Sequence, residues 1–256
     1  MPIMNFSIQW HITEFCPNTC LHCYMGMNPI EKHLSLFEFF SLLDKINVFE
    51  AQYKSQINNV SITGGDPLSN PDWYEICNAL RQQGKQVRIL GIPEQVTDSN
   101  CSKLKELGIS MYQVSLDGLK ETHDKIRGAG SFDRTVNAIK KLSENGIEVA
   151  IMFTMHNLNC SEMFDLIDFL DQLKVRLLFA FDFVVLSGNA VGKFSPLSAL
   201  ETQNILSAYL NKKHELYQRH SLVYLGEKSS FFNALKYQNI DVEKFIVNIQ
   251  QFLDAG

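Results

Sequence analysis

Short apolar runs and helix-spaced apolar stripes alternate along this chain with gaps of a few residues, the pattern of a parallel sheet built from repeated strand-helix units. The runs predict strands over 6–13, 57–63, 86–92, 110–116, 147–155 and 176–186. The last two are nearly continuous in apolar residues, as expected of strands covered on both faces. Ser35-Leu36-Phe37-Glu38 has the form of a capping box. Leu36, Phe39, Phe40, Leu43, Ile46 and Phe49 continue from it at helical spacing, which predicts a helix of about fifteen residues. Asn70-Pro71 is read as the start of a second helix, with helices over 99–107, 131–145 and 161–173 to follow. A second capping box, Ser198-Ala199-Leu200-Glu201, opens a helix running to about Gln218. Six strand-helix units result. Residues 222–225 read as one more short strand and the chain beyond them as helical.

At 256 residues the chain is long for an ordinary domain but normal for an α/β barrel, and large enough to bury a single core. Hydrophobic content of 45% and charged content of 20% describe a globular protein, and no run of eighteen apolar residues exists to cross a bilayer. A membrane role is therefore not expected. The N-terminus lacks the basic segment and long apolar core of a signal peptide, which places the expected location in the cytoplasm. A net charge of -5 argues against a nucleic acid held by a general electrostatic surface.

The candidate chemistry sits just after the first strand, in Cys16-Pro17-Asn18-Thr19-Cys20-Leu21-His22-Cys23-Tyr24. Three thiols at this spacing can converge on one inorganic centre, because thiolate is the ligand that iron-sulfur clusters select. A structural zinc site takes four protein ligands, whereas a cluster held by three cysteines leaves one iron free for an exogenous ligand. A zinc knuckle completed by His22 or His11, or free thiols in a reduced cytosol, are the alternatives. Cys77, Cys101 and Cys160 lie far apart in sequence and read as buried spectators.

Other candidates fall at the ends of predicted strands, where ligands gather in such sheets. Thr63-Gly64-Gly65-Asp66-Pro67 follows the second strand; its glycines permit close backbone approach and its carboxylate can accept from an ammonium group. Val114-Ser115-Leu116-Asp117-Gly118 ends the fourth strand, followed by His123-Asp124, Arg127-Gly128 and Gly130-Ser131-Phe132. A tight turn explains Gly-Gly-Asp-Pro equally well in isolation, and His123 and Asp124 read as a solvated pair with Ser131 as a helix N-cap. Asn157, after the fifth strand, and Leu186 and Gly188, after the sixth, are weaker candidates. Met152, Phe153 and Phe181 read as core.

These residues together resemble the radical S-adenosylmethionine (SAM) superfamily, whose signature is CxxxCxxC after the first strand of a partial β/α barrel. The resemblance spans 6–218 and implies an α/β fold, a partial (β/α)6 TIM-like barrel. Residues 1–218 would form the core and 219–256 a C-terminal helical extension, read as the start of a truncated accessory region. It implies that Cys16, Cys20 and Cys23 each hold one iron of a 4Fe-4S cluster. The fourth iron would be chelated by SAM, whose reductive cleavage releases a 5'-deoxyadenosyl radical for hydrogen abstraction.

His22 takes the place of the aromatic residue usual before the last cysteine. Gly64, Gly65, Asp66 and Pro67 resemble the family's GGEP motif, which binds the SAM amino group, with aspartate for glutamate. By the same resemblance Ser115 and Arg127 would hold the SAM carboxylate, Asp117 would lie near the ribose or order the loop, Asn157 would meet the ribose or carboxylate, and Leu186 and Gly188 the adenine. The SLDG, HD, RG and GSF pattern is the one common in members that modify peptides and proteins, so a peptide or protein substrate is expected. A small molecule such as a tetrapyrrole precursor is the alternative, and a non-catalytic metal-binding protein a third. An external reductant such as flavodoxin or ferredoxin is the implied partner. Relatives with this pattern carry cysteine-rich extensions termed SPASM or twitch, whereas no cysteine follows Cys160 here.

Overall fold

The computed structural model describes residues 4–26 and 31–226. Seven strands form one sheet, all parallel and in chain order: β1 (Met4–Thr13), β2 (Ser55–Gly64), β3 (Gln86–Leu90), β4 (Met111–Ser115), β5 (Glu148–Met155), β6 (Leu177–Phe183) and β7 (Val223–Leu225). Helices α1 (Leu36–Tyr53), α2 (Trp73–Gln82), α3 (Asp98–Glu106), α4 (Lys120–Arg127), α5 (Ser131–Glu144), α6 (Met163–Gln172) and α7 (Ala199–Gln218) lie between them. Because every connection returns to the adjacent strand, the sheet never reverses. It is an open partial barrel with β1 and β7 as its edges.

Strand alternation divides the sheet into two unlike faces. Ile62, Ile89, Tyr112, Ile151 and Phe179 are fully buried in one continuous core with α-helical residues such as Ile76, Leu104, Ile139 and Leu166. Their register partners one residue away face the other way and are more polar: Gln9, Ser61 and Arg88 share one row across β1, β2 and β3, and Gln113 lies on the same face of β4. Gln9 and His11 are exposed there, so this concave face is open to solvent. Met152, Phe153 and Phe181 are buried, as are Cys77 and Cys101; Cys160 is half-buried.

Both expected capping boxes form, at Ser35 with Glu38 and at Ser198 with Glu201. The short strand expected at 222–225 is β7, paired with β6; the helical residues expected beyond it lie outside the described residues. One helix was not foreseen and two local expectations fail, for identifiable reasons. The chain over Lys120–Arg127 is a helix although Ile126 is its only aliphatic residue, too few to show a helical stripe. The second helix starts at Trp73, because Asn70 ends a 3-10 turn, Pro67–Ser69, and spends its side chain on other elements. Ser131 lies inside α5, whose N-cap is Gly130 in the left-handed region (φ +73°).

Asn70 is fully buried and donates to the carbonyls of Ile12 (2.7 Å) and Leu34 (3.0 Å) while accepting from the Asp72 amide (2.8 Å). It therefore fixes the end of β1 against the entry to α1. Asn70→Ala leaves buried carbonyls short of a donor and is expected to cost about 1 to 3 kcal/mol in stability, read as a lower urea midpoint.

Candidate active site at the barrel mouth

The cysteine loop leaves β1 at Thr13 and is held from three sides. On the first side, the Gly65 amide donates to the Thr13 carbonyl (2.9 Å) and the Asp66 amide to that of Phe15 (2.7 Å). A Cβ on Gly64 would stand 2.1 Å from the Thr13 oxygen, and one on Gly65 2.1 Å from the Phe15 oxygen. The close approach that these glycines permit is thus to the chain's own backbone at the entrance to the cysteines. On the second side, the Leu21 amide donates to the last turn of α4, at the Ile126 carbonyl (2.9 Å). On the third, after β6, Asn189 donates to the carbonyls of Cys23 (2.9 Å, backbone) and Cys20 (3.0 Å, side chain). Gly188 (φ +56°) leaves no room for a Cβ against the Cys23 and Tyr24 oxygens.

All three cysteines of the loop are half-buried. Burial pushes the Cys16 thiol up to about 11, and repulsion from Cys20 and Cys23 adds to the effect. Burial also raises Cys20, with the Arg127 charge acting against it. Three thiols on one loop suit a cluster that gives each thiolate its own iron, whereas a closed zinc site takes four protein ligands.

Beneath the loop lies Asp117, fully buried. Its Oδ2 accepts from His22 Nε2 (2.9 Å) and from Arg127 Nε, and its Oδ1 accepts from the Thr154 amide (2.7 Å). Burial alone would raise its pKa, but the Arg127 and His22 charges hold it well below the usual carboxylate range. Arg127 directs Nη1 at Cys20 Sγ (3.7 Å), and its Nη2 lies 3.4 Å from His22 Nε2. The guanidinium therefore bridges the buried carboxylate and the cysteine loop. His22, weighed as a zinc ligand or cofactor contact, has its Nε2 committed to Asp117.

His123 and Asp124 are not a solvated pair. His123 is fully buried; its Nδ1 accepts from the Asp117 amide (3.0 Å) and its Nε2 meets Ser131 Oγ (3.2 Å). Asp124 accepts from the amides of Gly130 (2.8 Å) and Phe132 (2.7 Å), the capping role that had been expected of Ser131. Burial pushes His123 down to about 4, which fits a neutral imidazole.

Several polar groups at the mouth are unspent. His156 is fully buried; its Nδ1 accepts from the Leu158 amide (3.2 Å), so Nε2 carries the proton, yet Nε2 has no partner among the described residues. Its ring packs at a tilt against Phe194 (centroids 4.3 Å, 47° between planes) and lies 6.1 Å from that of His22. Asp66 is buried, with Oδ2 bonded to Ser69 (2.6 Å) and Oδ1 unpartnered. The half-buried Ser115 hydroxyl forms no hydrogen bond among the described residues. A donor, an acceptor and a hydroxyl, with the Arg127 guanidinium close to the same loop, suit a zwitterionic amino acid group attached to a nucleoside.

The weaker candidates lie further out. Pro67 begins the 3-10 turn, Leu186 is exposed, and Asn157 is exposed with its Oδ1 bonded to the Ser195 amide (3.0 Å). Sequence reasoning passed over His156 for its neighbour Asn157. A polar residue directly after β5 was the available signal, and only burial distinguishes the two.

The family model for the radical SAM superfamily matches residues 10–170, and the chain belongs to that superfamily. The cofactors of that superfamily are a 4Fe-4S cluster and SAM. Among curated proteins the chain is 28% identical over 215 residues to the Fe-coproporphyrin III synthase of Methanosarcina barkeri, covering 83% of this chain and 52% of that one. It is 26% identical over 159 residues to the sporulation killing factor maturation protein SkfB of Bacillus subtilis, covering 61% and 37%. The fold matches Streptococcus suis SuiB bound to S-adenosylmethionine with a TM-score of 0.72 at 16% identity, over 90% of this chain and 52% of that one. The chain thus spans about half the length of these relatives or less.

Two measurements check the geometry. Gly65→Ala drives a Cβ into the backbone beside Cys16, so anaerobic reconstitution should load several-fold less iron than the parent, by iron assay. For His123 the folded value, about 4, lies below the ordinary 6.5, so the unfolded chain binds the proton more readily between them. Stability present above pH 6.5 is therefore lost as pH falls towards 4, by up to about 3 kcal/mol. His156, also pushed down to about 4 by burial, adds in the same direction. The parent's urea midpoint should fall over this window, and that of His123→Gln should fall less.

Proposed function

We propose that this chain is the catalytic core of a radical SAM enzyme that modifies a peptide or protein side chain, with electrons from a flavodoxin- or ferredoxin-type donor. The observation that carries the catalytic reading is the bridge of Asp117 and Arg127 to the three-cysteine loop, beside unspent polar groups at the barrel mouth. When bound, the cluster and SAM would supply one-electron cleavage of a sulfonium and a carbon radical able to abstract hydrogen.

Cys16, Cys20 and Cys23 would hold the cluster. Arg127, anchored through Nε on Asp117, would present Nη1 and Nη2 to the SAM carboxylate, with the Ser115 hydroxyl as a further donor. The amino group would meet Asp66 and the carbonyls of the Gly64-Gly65 turn. His156 Nε2 would donate to the nucleoside, with Phe194 closing that side against water.

The peptide reading is supported by the SLDG-to-GSF pattern and by relatives named as maturation proteins, SkfB and the mycofactocin maturase MftC of Mycobacterium tuberculosis. A second reading, a tetrapyrrole substrate, has its own support. The match to the Fe-coproporphyrin III synthase runs over 215 residues, against 159 for SkfB.

Cys20→Ala, reconstituted anaerobically with reductant and SAM, is expected to form no 5'-deoxyadenosine above background. Formation at the parent rate would refute the cluster assignment. Arg127→Lys keeps a charge for Asp117 but loses the planar fork, so SAM affinity by anaerobic calorimetry should fall about ten- to a hundredfold with iron content retained. Unchanged affinity would remove Arg127 from the SAM site.

A further inference from the structure

Arg88 lies on the concave face of β3, two residues before the strand's end. Its row neighbours are Ser61 of β2 and Met111 of β4. It is half-buried, its Nε is buried without a hydrogen bond, and its guanidinium forms no ion pair among the described residues. The acid nearest in register is Glu148 of β5, beyond Met111 in the same row, and it is exposed and unpaired with Arg88. Other partly buried basic groups are matched: Lys85 with Glu50, Lys212 with Asp168 and Arg127 with Asp117.

A partly desolvated guanidinium without a counter-charge is costly to keep, and the cost is offset when a ligand brings the anion. Its place also fits a ligand. At about 3.3 Å per residue Arg88 sits roughly 7 Å below the end of β3. It lies on the open face that leads from the cysteine mouth, with Gln9, Ser61 and Gln113 about it as neutral hydrogen-bonding groups.

We propose that Arg88 is a substrate-binding residue which fixes a carboxylate of the substrate inside the barrel, while the atom to be attacked stays at the mouth. This deepens the enzymatic reading above and rests on it for the meaning of "substrate". The carboxylate is the shared chemistry of two sources, an acidic peptide side chain and a tetrapyrrole propionate.

The test measures binding by reconstituted, SAM-loaded protein under anaerobic conditions with two pairs of probes. One is coproporphyrin III against its tetramethyl ester. The other is a neutral synthetic decapeptide with one central glutamate, against the same peptide with glutamine. At least one acid is expected to bind about tenfold or more tighter than its uncharged counterpart. Arg88→Gln should abolish that preference, and Arg88→Lys should keep part of it. Iron content and melting temperature of each variant report that it is folded.

A preference confined to the porphyrin assigns the carboxylate to a propionate, and one confined to the peptide assigns it to a side chain. No preference in the parent for either acid, or a preference that survives Arg88→Gln, overturns the proposal. The radical SAM reading stands or falls separately, on 5'-deoxyadenosine formation by the parent.

Discussion

A carboxylate with no exposure to solvent has to be matched by nearby donors, and the matching of Asp117 organises the mouth of this barrel. Its partners come from the cysteine loop (His22), the end of α4 (Arg127) and the end of β5 (Thr154). Its own carbonyl accepts from Asn159 Nδ2 (3.0 Å), and its amide donates to His123. Removing one partner would leave buried charge unmatched, at a cost of about 3 to 5 kcal/mol for such pairs, so the segments hold one another in place. The eight-residue α4 is too short to persist on its own. It is kept by His123 and Arg127 reaching Asp117 and by the Leu21 amide on its last turn. The loop that carries the thiols is thus positioned in large part by a buried charge, which its buried His22 side chain reaches.

Backbone proximity supplies the second constraint. A parallel sheet in chain order brings the ends of β1 and β2 side by side, and the two chains continue together past their last paired residues. Only residues without a Cβ tolerate the resulting 2.1 Å approaches at Gly64 and Gly65. Gly188 repeats the device on the opposite side, against Cys23 and Tyr24. Besides the His22 contact to Asp117, the loop between these clamps is held by main-chain bonds, which do not call on its three thiols.

The parts of this structure legible in the sequence were those written in period and punctuation. Strand runs, capping boxes and the 222–225 strand appear within a few residues of their expected bounds, because each is encoded locally. Cysteine spacing marked the mouth for the same reason. What the sequence hid depends on contacts between distant segments. The polar string Lys120–Arg127 becomes helical through Asp117, and Asn70 divides its side chain, Nδ2 on Ile12 and Leu34 and only Oδ1 on the Asp72 amide before α2. His123 looks like a surface residue until a buried amide and a hydroxyl claim both its nitrogens. Gly64 and Gly65 have a further role that the sequence did not show: their missing Cβ atoms let the turn close on the Thr13 and Phe15 carbonyls at the entrance to the cysteine loop.

The aspartate in Gly-Gly-Asp-Pro shows how one methylene redistributes work. Asp66 is drawn into the turn by Ser69 Oγ at 2.6 Å, and burial raises its pKa even though that hydroxyl opposes the shift. A carboxylate in this position is better placed to brace the 3-10 turn than to extend towards a ligand, and a longer side chain would have reached further from the same backbone. On the proposed reading, the ligand's ammonium is then met chiefly by backbone carbonyls of the turn, whose position Asp66 secures. That places the tolerance of this site for aspartate in the geometry of the turn, since a carbonyl held by the β1 backbone needs no particular side chain to accept a hydrogen bond.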